Sequence, residues 1–219
     1  MTMEFRQRFY PDPFPRLPAV DGFAGRYVGY YGEPWAELRH GAGNVGSHLG
    51  PTMTIDVMSG RGAQGWRAIH RAILMFDTYE IPLSAEILEA QLWLWGFAKQ
   101  QPPLGEDFSI IITKANPASN DEIVPADYQC LGTQSLCGDP FPVANLILEG
   151  WNCFTFTEWG REQLQKSGVS SLGIRNFEYD ARDKEPPWYK GFHGYAHFQE
   201  ADGIFETIPY LDIKFEVPM

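Results

Sequence analysis

The sequence predicts an all-β protein, an antiparallel jelly-roll β-sandwich with one short helix, and three observations lead there. First, the 22 glycines and 17 prolines of this 219-residue chain punctuate it into short segments, which suits many strands better than long helices. Second, the stretch from Arg67 to Phe97 reads as two strands joined by a break at Asp77–Pro82. Third, Leu211, Ile213, Phe215 and Val217 alternate strictly with Asp212, Lys214 and Glu216, the pattern of a half-buried strand.

The two central strands differ in character. In the first, Ala68, Ala72, Leu74 and Phe76 share one face while Ile73 and Met75 make the other face apolar, so both faces are expected to be covered. In the second, Leu88, Ala90, Leu92 and Leu94 point one way, and Glu89, Gln91, Trp93, Trp95 and Phe97 the other. An aromatic outer face is unusual for a solvated strand. Trp93, Trp95 and Phe97 left in water would form an apolar patch, so a subunit, an arm of the chain or a ligand is expected to cover them.

Residues 1–21 are expected to form an extended Pro-rich arm, with Pro11, Pro13, Pro15 and Pro18 and the aromatics Phe5, Phe9, Tyr10 and Phe14 as its contacts. Residues 22–219 then make a single sandwich domain. Within it, strands are expected near 26–31, 35–40 and 53–58, and at Phe108–Thr113 and Tyr128–Leu131. Others are expected at 151–157, 169–179, 192–199 and Tyr210–Val217, giving about nine or ten in all. The one convincing helix runs from its N-cap Thr157 to a stop at Gly168, with an early acid and a late lysine.

Composition excludes several functions. The chain is 44% hydrophobic and 15% aromatic, a folded protein rather than a disordered one. It is long enough to bury roughly 70% of its unfolded surface. The net charge of −11 with scattered Lys and Arg argues against nucleic acid as a partner. No apolar run reaches the ~20 residues that span a bilayer, and no secretory leader is evident at the N-terminus, so no membrane partner is expected. The acidic balance reads as solvated surface: no EF-hand spacing is present, and no metal or other cofactor is expected.

Catalytic signals are sparse. There is no G-x-S-x-G, no H-E-x-x-H and no phosphate loop, so the chain is expected not to be an enzyme. The carboxylate pairs Glu86/Glu89, Asp180/Asp183 and Glu200/Asp202 read as exposed acid. His40 and His48 bracket a glycine loop without a third ligand. His193 and His197 share a strand face about 13 Å apart, too far for one metal. Cys130 and Cys137 flank a glycine-containing turn and could pair, whereas Cys153 reads as a buried thiol. Trp188 and Tyr189, in the charged loop DARDKEPPWYKG, join Trp93, Trp95 and Phe97 as candidates for a subunit contact or ligand platform, with core covered by a loop as the equal alternative to the subunit contact.

Several motifs together, DGFAGRYV, WAELRHGAGN, RAILMFDTYEIPLSAEILEAQLWLWGF, ADYQCLGT, VSSLGIRNFEYD and PYLDIKFEV, resemble the DNRLRE-type jelly-roll modules. These are relatives of carbohydrate-binding modules found in phage structural proteins and on secreted prokaryotic proteins. The resemblance covers Asp21 to the C-terminus and is carried chiefly by residues 71–94. It implies a β-sandwich used for binding or as a structural part: a non-enzymatic virion subunit (decoration, fibre or tail component) or an extracellular fibre subunit. Its partners would be other virion or fibre subunits in a homo-oligomer. A carbohydrate-binding adhesin module that takes a surface glycan is the alternative, and a hydrolase a weaker one. The family's charged-and-Asn motif is replaced here by FDTYEIP.

Overall fold

The computed structural model describes residues 1–11, 19–50, 52–61, 65–202 and 205–219. The fold is all-β and antiparallel, as the sequence predicts: one continuous sheet of twelve strands curls over a single core. In chain order the strands are β1 (Thr2–Phe9), β2 (Asp21–Tyr27), β3 (Val45–Ser47), β4 (Thr52–Ser59), β5 (Trp66–Asp77) and β6 (Glu86–Gln100). There follow β7 (Ser109–Lys114), β8 (Phe141–Pro142), β9 (Gly150–Thr155), β10 (Val169–Asn176), β11 (His193–Gln199) and β12 (Tyr210–Pro218). The sheet order is β1-β12-β6-β11-β4-β5-β10-β7-β8, with β9 added on β6, β2 on β5 and β3 on β2.

The two central strands hold the sheet together. The Ile73–Phe76 run of β5 is wholly buried, because both its faces are covered as their apolar character predicts. The break at Asp77–Pro82 is an Asp-led turn, in which the Tyr79 amide donates to Asp77 Oδ1 at 3.0 Å. β6 is long enough to serve three partners: β12 along Glu86–Trp93, β9 along Gln91–Gly96 and β11 along Gly96–Gln100. Its register against β11 shifts at His197/Phe198, leaving Phe97 unmatched, and such a bulge bends a sheet. Gly96 stands at that bend because the 147–149 loop lies against it: an added Cβ would be 2.1 Å from the Ile147 carbonyl oxygen.

Several elements differ from expectation: the strand expected near 26–31 is β2 at Asp21–Tyr27, and the one expected over 169–179 ends at Asn176. Residues 35–40, expected as a strand, form helix α1 (Trp35–His40), which follows Pro34 and buries Trp35, Leu38 and Arg39. That 3–4 spacing is the signature of a helix face, and Pro34 holds the dihedrals of a helix entry. The expected strand at Tyr128–Leu131 is replaced by a 3₁₀ helix over Pro125–Gln129. Its Tyr128 hydroxyl reaches the Leu38 carbonyl at 3.0 Å, and the Arg71 guanidinium lies 3.9 Å from the ring centre. The expected helix after Thr157 is present as α2 (Glu158–Glu162), with Thr157 Oγ1 accepting from the Gly160 amide at 3.0 Å. It stops well before Gly168. The chain then turns back, with Ser167 at φ 53°, to feed β10.

The Asp180/Asp183 pair, expected as exposed acid, is corrected by half. Asp180 is fully buried and takes two-pronged hydrogen bonds from Arg71 (2.8 and 2.7 Å) and Arg175 (2.9 and 2.6 Å). Burial alone would raise its titration, but the two guanidiniums outweigh it and hold the carboxyl well below the usual range. The Arg39 Nε–H donates to the Asp180 backbone carbonyl at 2.7 Å, so this residue joins α1, β5 and β10.

Candidate functional site

The expected arm is extended, but its first residues belong to the sheet. β1 pairs with β12 over its whole length, from Thr2 opposite Pro218 to Phe9 opposite Leu211. Residues 2–9 are thus part of the sheet, because alternating Met3, Phe5, Gln7 and Phe9 give the N-terminus a strand's periodicity ahead of the prolines, whereas residues 12–18 of the expected arm lie outside the described residues. Phe9 is buried, Phe5 stacks on Phe215 at 5.5 Å, and Tyr10 leans on Tyr210 at 6.0 Å. Phe14 lies outside the described residues. Apart from Phe9, β1 is largely exposed, and it stands at one end of the strand order.

Next to this edge, β6 presents the expected aromatic face. Leu92 and Leu94 are wholly buried, whereas Trp93 and Trp95 are half-buried and Phe97 is exposed. The register places Trp93 between Tyr210 of β12 and Cys153 of β9, and Trp95 opposite Trp151. The Trp93 and Tyr210 rings stack at 5.9 Å and 13°. Trp151 meets Trp95 edge-on at 5.4 Å and Tyr210 at 5.1 Å. The Arg8 guanidinium lies 4.5 Å from the Tyr210 ring centre. Four strands thus build one ledge in which aromatic rings cover one another, with the end of the N-terminal segment as part of the cover. Polar side chains line its margin: Asp212 pairs with Arg6 at 2.7 Å and Arg8 at 3.4 Å, and Gln91 lies opposite Asp212.

Tyr10, Trp151 and Tyr210 are ledge residues not singled out in the sequence for that role. Trp151 and Tyr210 each begin or nearly begin a strand, where period-two reading has fewest neighbours to work from. Trp188 and Tyr189 are not part of the ledge. Trp188 donates from Nε1 to the Gly65 carbonyl at 3.0 Å, and Tyr189 packs on Phe192 at 5.4 Å with its hydroxyl 3.1 Å from Glu106 Oε2. Both pack against the core from a loop.

At the far end of the β1–β12 pair, a cleft of about 400 Å³ is lined by Met3, Phe5, Pro82, Phe215, Val217 and Met219 among others. Met3, Phe5 and Met219 are all exposed.

The histidines and cysteines are placed as follows. His193, Tyr195 and His197 share one face of β11, their rings in sequence at 4.8 and 4.5 Å. His70 Nδ1 is 2.7 Å from the buried Asp56, with His193 Nε2 at 3.9 Å from the same carboxylate. His40 pairs with Asp183, and His48 Nδ1 accepts from the Ile123 amide. Cys130 and Cys137 are free thiols, so the pairing their spacing allowed is not made. Cys153, expected to be buried, is exposed because β9 turns Asn152 and Phe154 inward and Cys153 to the ledge side.

No protein-family model matches the chain, and no curated protein does. The likeness to DNRLRE-type modules rests on the quoted motifs.

Proposed function

We propose that this protein is a non-enzymatic assembly subunit, a structural or accessory component of a virion or an extracellular fibre, which docks through the β1 edge and the adjoining ledge. One observation carries the reading: among the described residues β1 pairs with β12 on one side only, which leaves an open sheet edge eight residues long, with Met3 and Phe5 exposed beside an apolar cleft. A long open edge with apolar side chains templates another strand, and monomers usually blunt such edges. The strand is also complementary to itself. Antiparallel pairing of two copies about Phe5 sets Glu4 opposite Arg6, Phe5 opposite Phe5 and Met3 opposite Gln7. The particle type comes from the family resemblance.

Light scattering on the eluting full-length chain tests this. The wild type should run as a multimer and the Met3→Lys/Phe5→Lys variant as a monomer with little change in melting temperature. A strictly monomeric wild type would refute it.

A second reading, a carbohydrate-binding module, is favoured by the ledge, where Trp and Tyr rings stand beside Gln91, Asp212 and Arg8. It ranks lower because the Trp93 and Tyr210 ring faces are spent on each other, whereas a sugar platform leaves a ring face open. A glycan array that lights up with the wild type and not with Trp95→Ala would reverse that order.

A further inference from the structure

Between β2 and α1 the chain turns through Tyr27, Val28, Gly29, Tyr30, Tyr31 and Gly32. Gly32 closes the turn at φ 78°, a conformation that favours glycine, and its amide donates to the Gly29 carbonyl at 3.1 Å. The β4–β5 connection clasps this turn from both sides. The Arg61 amide donates to the Tyr30 carbonyl at 2.9 Å, and the Val28 amide to the Arg67 carbonyl at 2.8 Å. Held in this way, Tyr27, Tyr30 and Tyr31 are 38%, 51% and 74% exposed. The Arg61 guanidinium lies 4.9 Å from the Tyr30 ring centre and donates to its hydroxyl at 2.8 Å. The Arg67 guanidinium lies 4.8 Å from the Tyr27 ring centre and donates to that hydroxyl. Among the described residues neither guanidinium is paired with a carboxylate, and Arg67 Nε is buried without a hydrogen-bond partner. The two acids that adjoin Trp66 are engaged elsewhere: Glu33 pairs with Arg26, and Glu185 Oε1 accepts from the Trp66 indole N–H at 3.1 Å.

We propose that the Tyr27–Tyr31 turn, with Arg61 and Arg67, is a second docking surface, and that its partner is a short acidic segment, rich in Asp and Glu, of another protein chain. Charge complementarity carries the choice: two guanidiniums without a counter-ion stand side by side on a chain of net charge −11. Each is set over a tyrosine ring and tied to its hydroxyl, so little freedom is lost when a carboxylate arrives. Each hydroxyl takes one N–H, and the remaining donors of the planar fork suit a two-pronged carboxylate. Exposed Tyr and Arg together are also the side chains that anchor protein contacts. A sugar is a poorer fit, because the guanidiniums already cover the Tyr27 and Tyr30 rings that it would stack on. A long polyanion is repelled by the rest of the chain, whereas a short segment meets only the local charge, since screening confines it to about 8 Å. This surface is distinct from the β1 edge: β12, β6 and β11 stand between β1 and β4 in the sheet.

The test is fluorescence polarisation of a labelled hexaglutamate peptide titrated with the full chain, with labelled hexaglutamine and an oligogalacturonate of equal charge as comparisons. The wild type should bind hexaglutamate, ignore hexaglutamine, bind the acidic sugar more weakly, and lose affinity as salt is raised. Arg61→Gln and Arg67→Gln should each weaken hexaglutamate binding about tenfold or more. Lys114→Gln, which removes an exposed cation elsewhere, should leave binding unchanged. Arg67 is half-buried, so should its variant fail to fold, Arg61→Gln, at an exposed position, decides the matter with an unchanged melting temperature as its control. No binding of hexaglutamate by the wild type would overturn the surface, as would equal binding by Arg61→Gln or an equal loss from Lys114→Gln. Oligogalacturonate bound as tightly as hexaglutamate would show an acidic-sugar site instead, and would also overturn it.

Discussion

Replacing Trp93 by serine separates a ledge held together by its own rings from one that waits for a partner. Truncating a fully buried Trp costs about 3–5 kcal/mol, and Trp93 is half-buried, so a loss of about 1.5–2.5 kcal/mol is expected. Some ~0.5–1.5 kcal/mol of that belongs to the stack on Tyr210. For a chain of this size the melting temperature should fall by roughly 3–10 °C. The assay is urea and thermal unfolding of wild type, Trp93→Ser, Tyr210→Leu and the double variant, closed as a cycle. A coupling of about 0.5–1.5 kcal/mol between the two positions is expected. Coupling within measurement error (about 0.3 kcal/mol) would show that the stack contributes nothing. A loss above about 4 kcal/mol would place Trp93 in the core and refute the assignment of faces. Light scattering on the same samples reads assembly: lost oligomers at a small stability cost would identify the ledge as part of the contact.

Three other perturbations test the frame around the ledge. Asp180→Asn leaves two buried guanidiniums without their counter-charge and should cost about 3–5 kcal/mol, measured by urea unfolding; a loss under about 1 kcal/mol would deny the cluster its role. The Asp56–His70 pair should make a pH-dependent contribution, read as the stability difference between wild type and Asp56→Asn. Burial opposes the charge on His70 but Asp56 outweighs it and raises its titration, so that part is full below about 6.5 and lost as pH rises through the folded value. Asp56, raised by burial but lowered more strongly by His70 and His193, contributes above about 3.9 and loses that part as pH falls through its folded value. The difference should therefore peak between about pH 4 and 6.5, and a flat difference would contradict the pairing. Deleting residues 1–9 removes the β1 ladder and the buried Phe9, itself worth about 1.5–3 kcal/mol, so the melting temperature should fall by several degrees; an unchanged value would mean that β1 is dispensable to the sheet.

The sequence alone determined the all-β class, the faces of β6, the double burial of β5 and the cap of α2. Each of these follows from period or local chemistry: Leu92 and Trp93 must point opposite ways in any strand, and Thr157 can cap a helix wherever that helix packs. Only the tertiary structure decided where the β6 aromatics find their cover. Trp151 and Tyr210 come from strands about sixty and a hundred and twenty residues away, and a pairing register cannot be read from one strand. The fate of the acids was likewise beyond local reading. Asp180 and Glu200 sit in polar, turn-like surroundings in the sequence, yet one is surrounded by Arg71 and Arg175 and the other is sealed beside Asp21. Burial is set by which distant segments fold over a residue, and in this chain that decides whether an acid is solvent-facing, a structural anchor or, for Glu200, an oxygen pair without a partner.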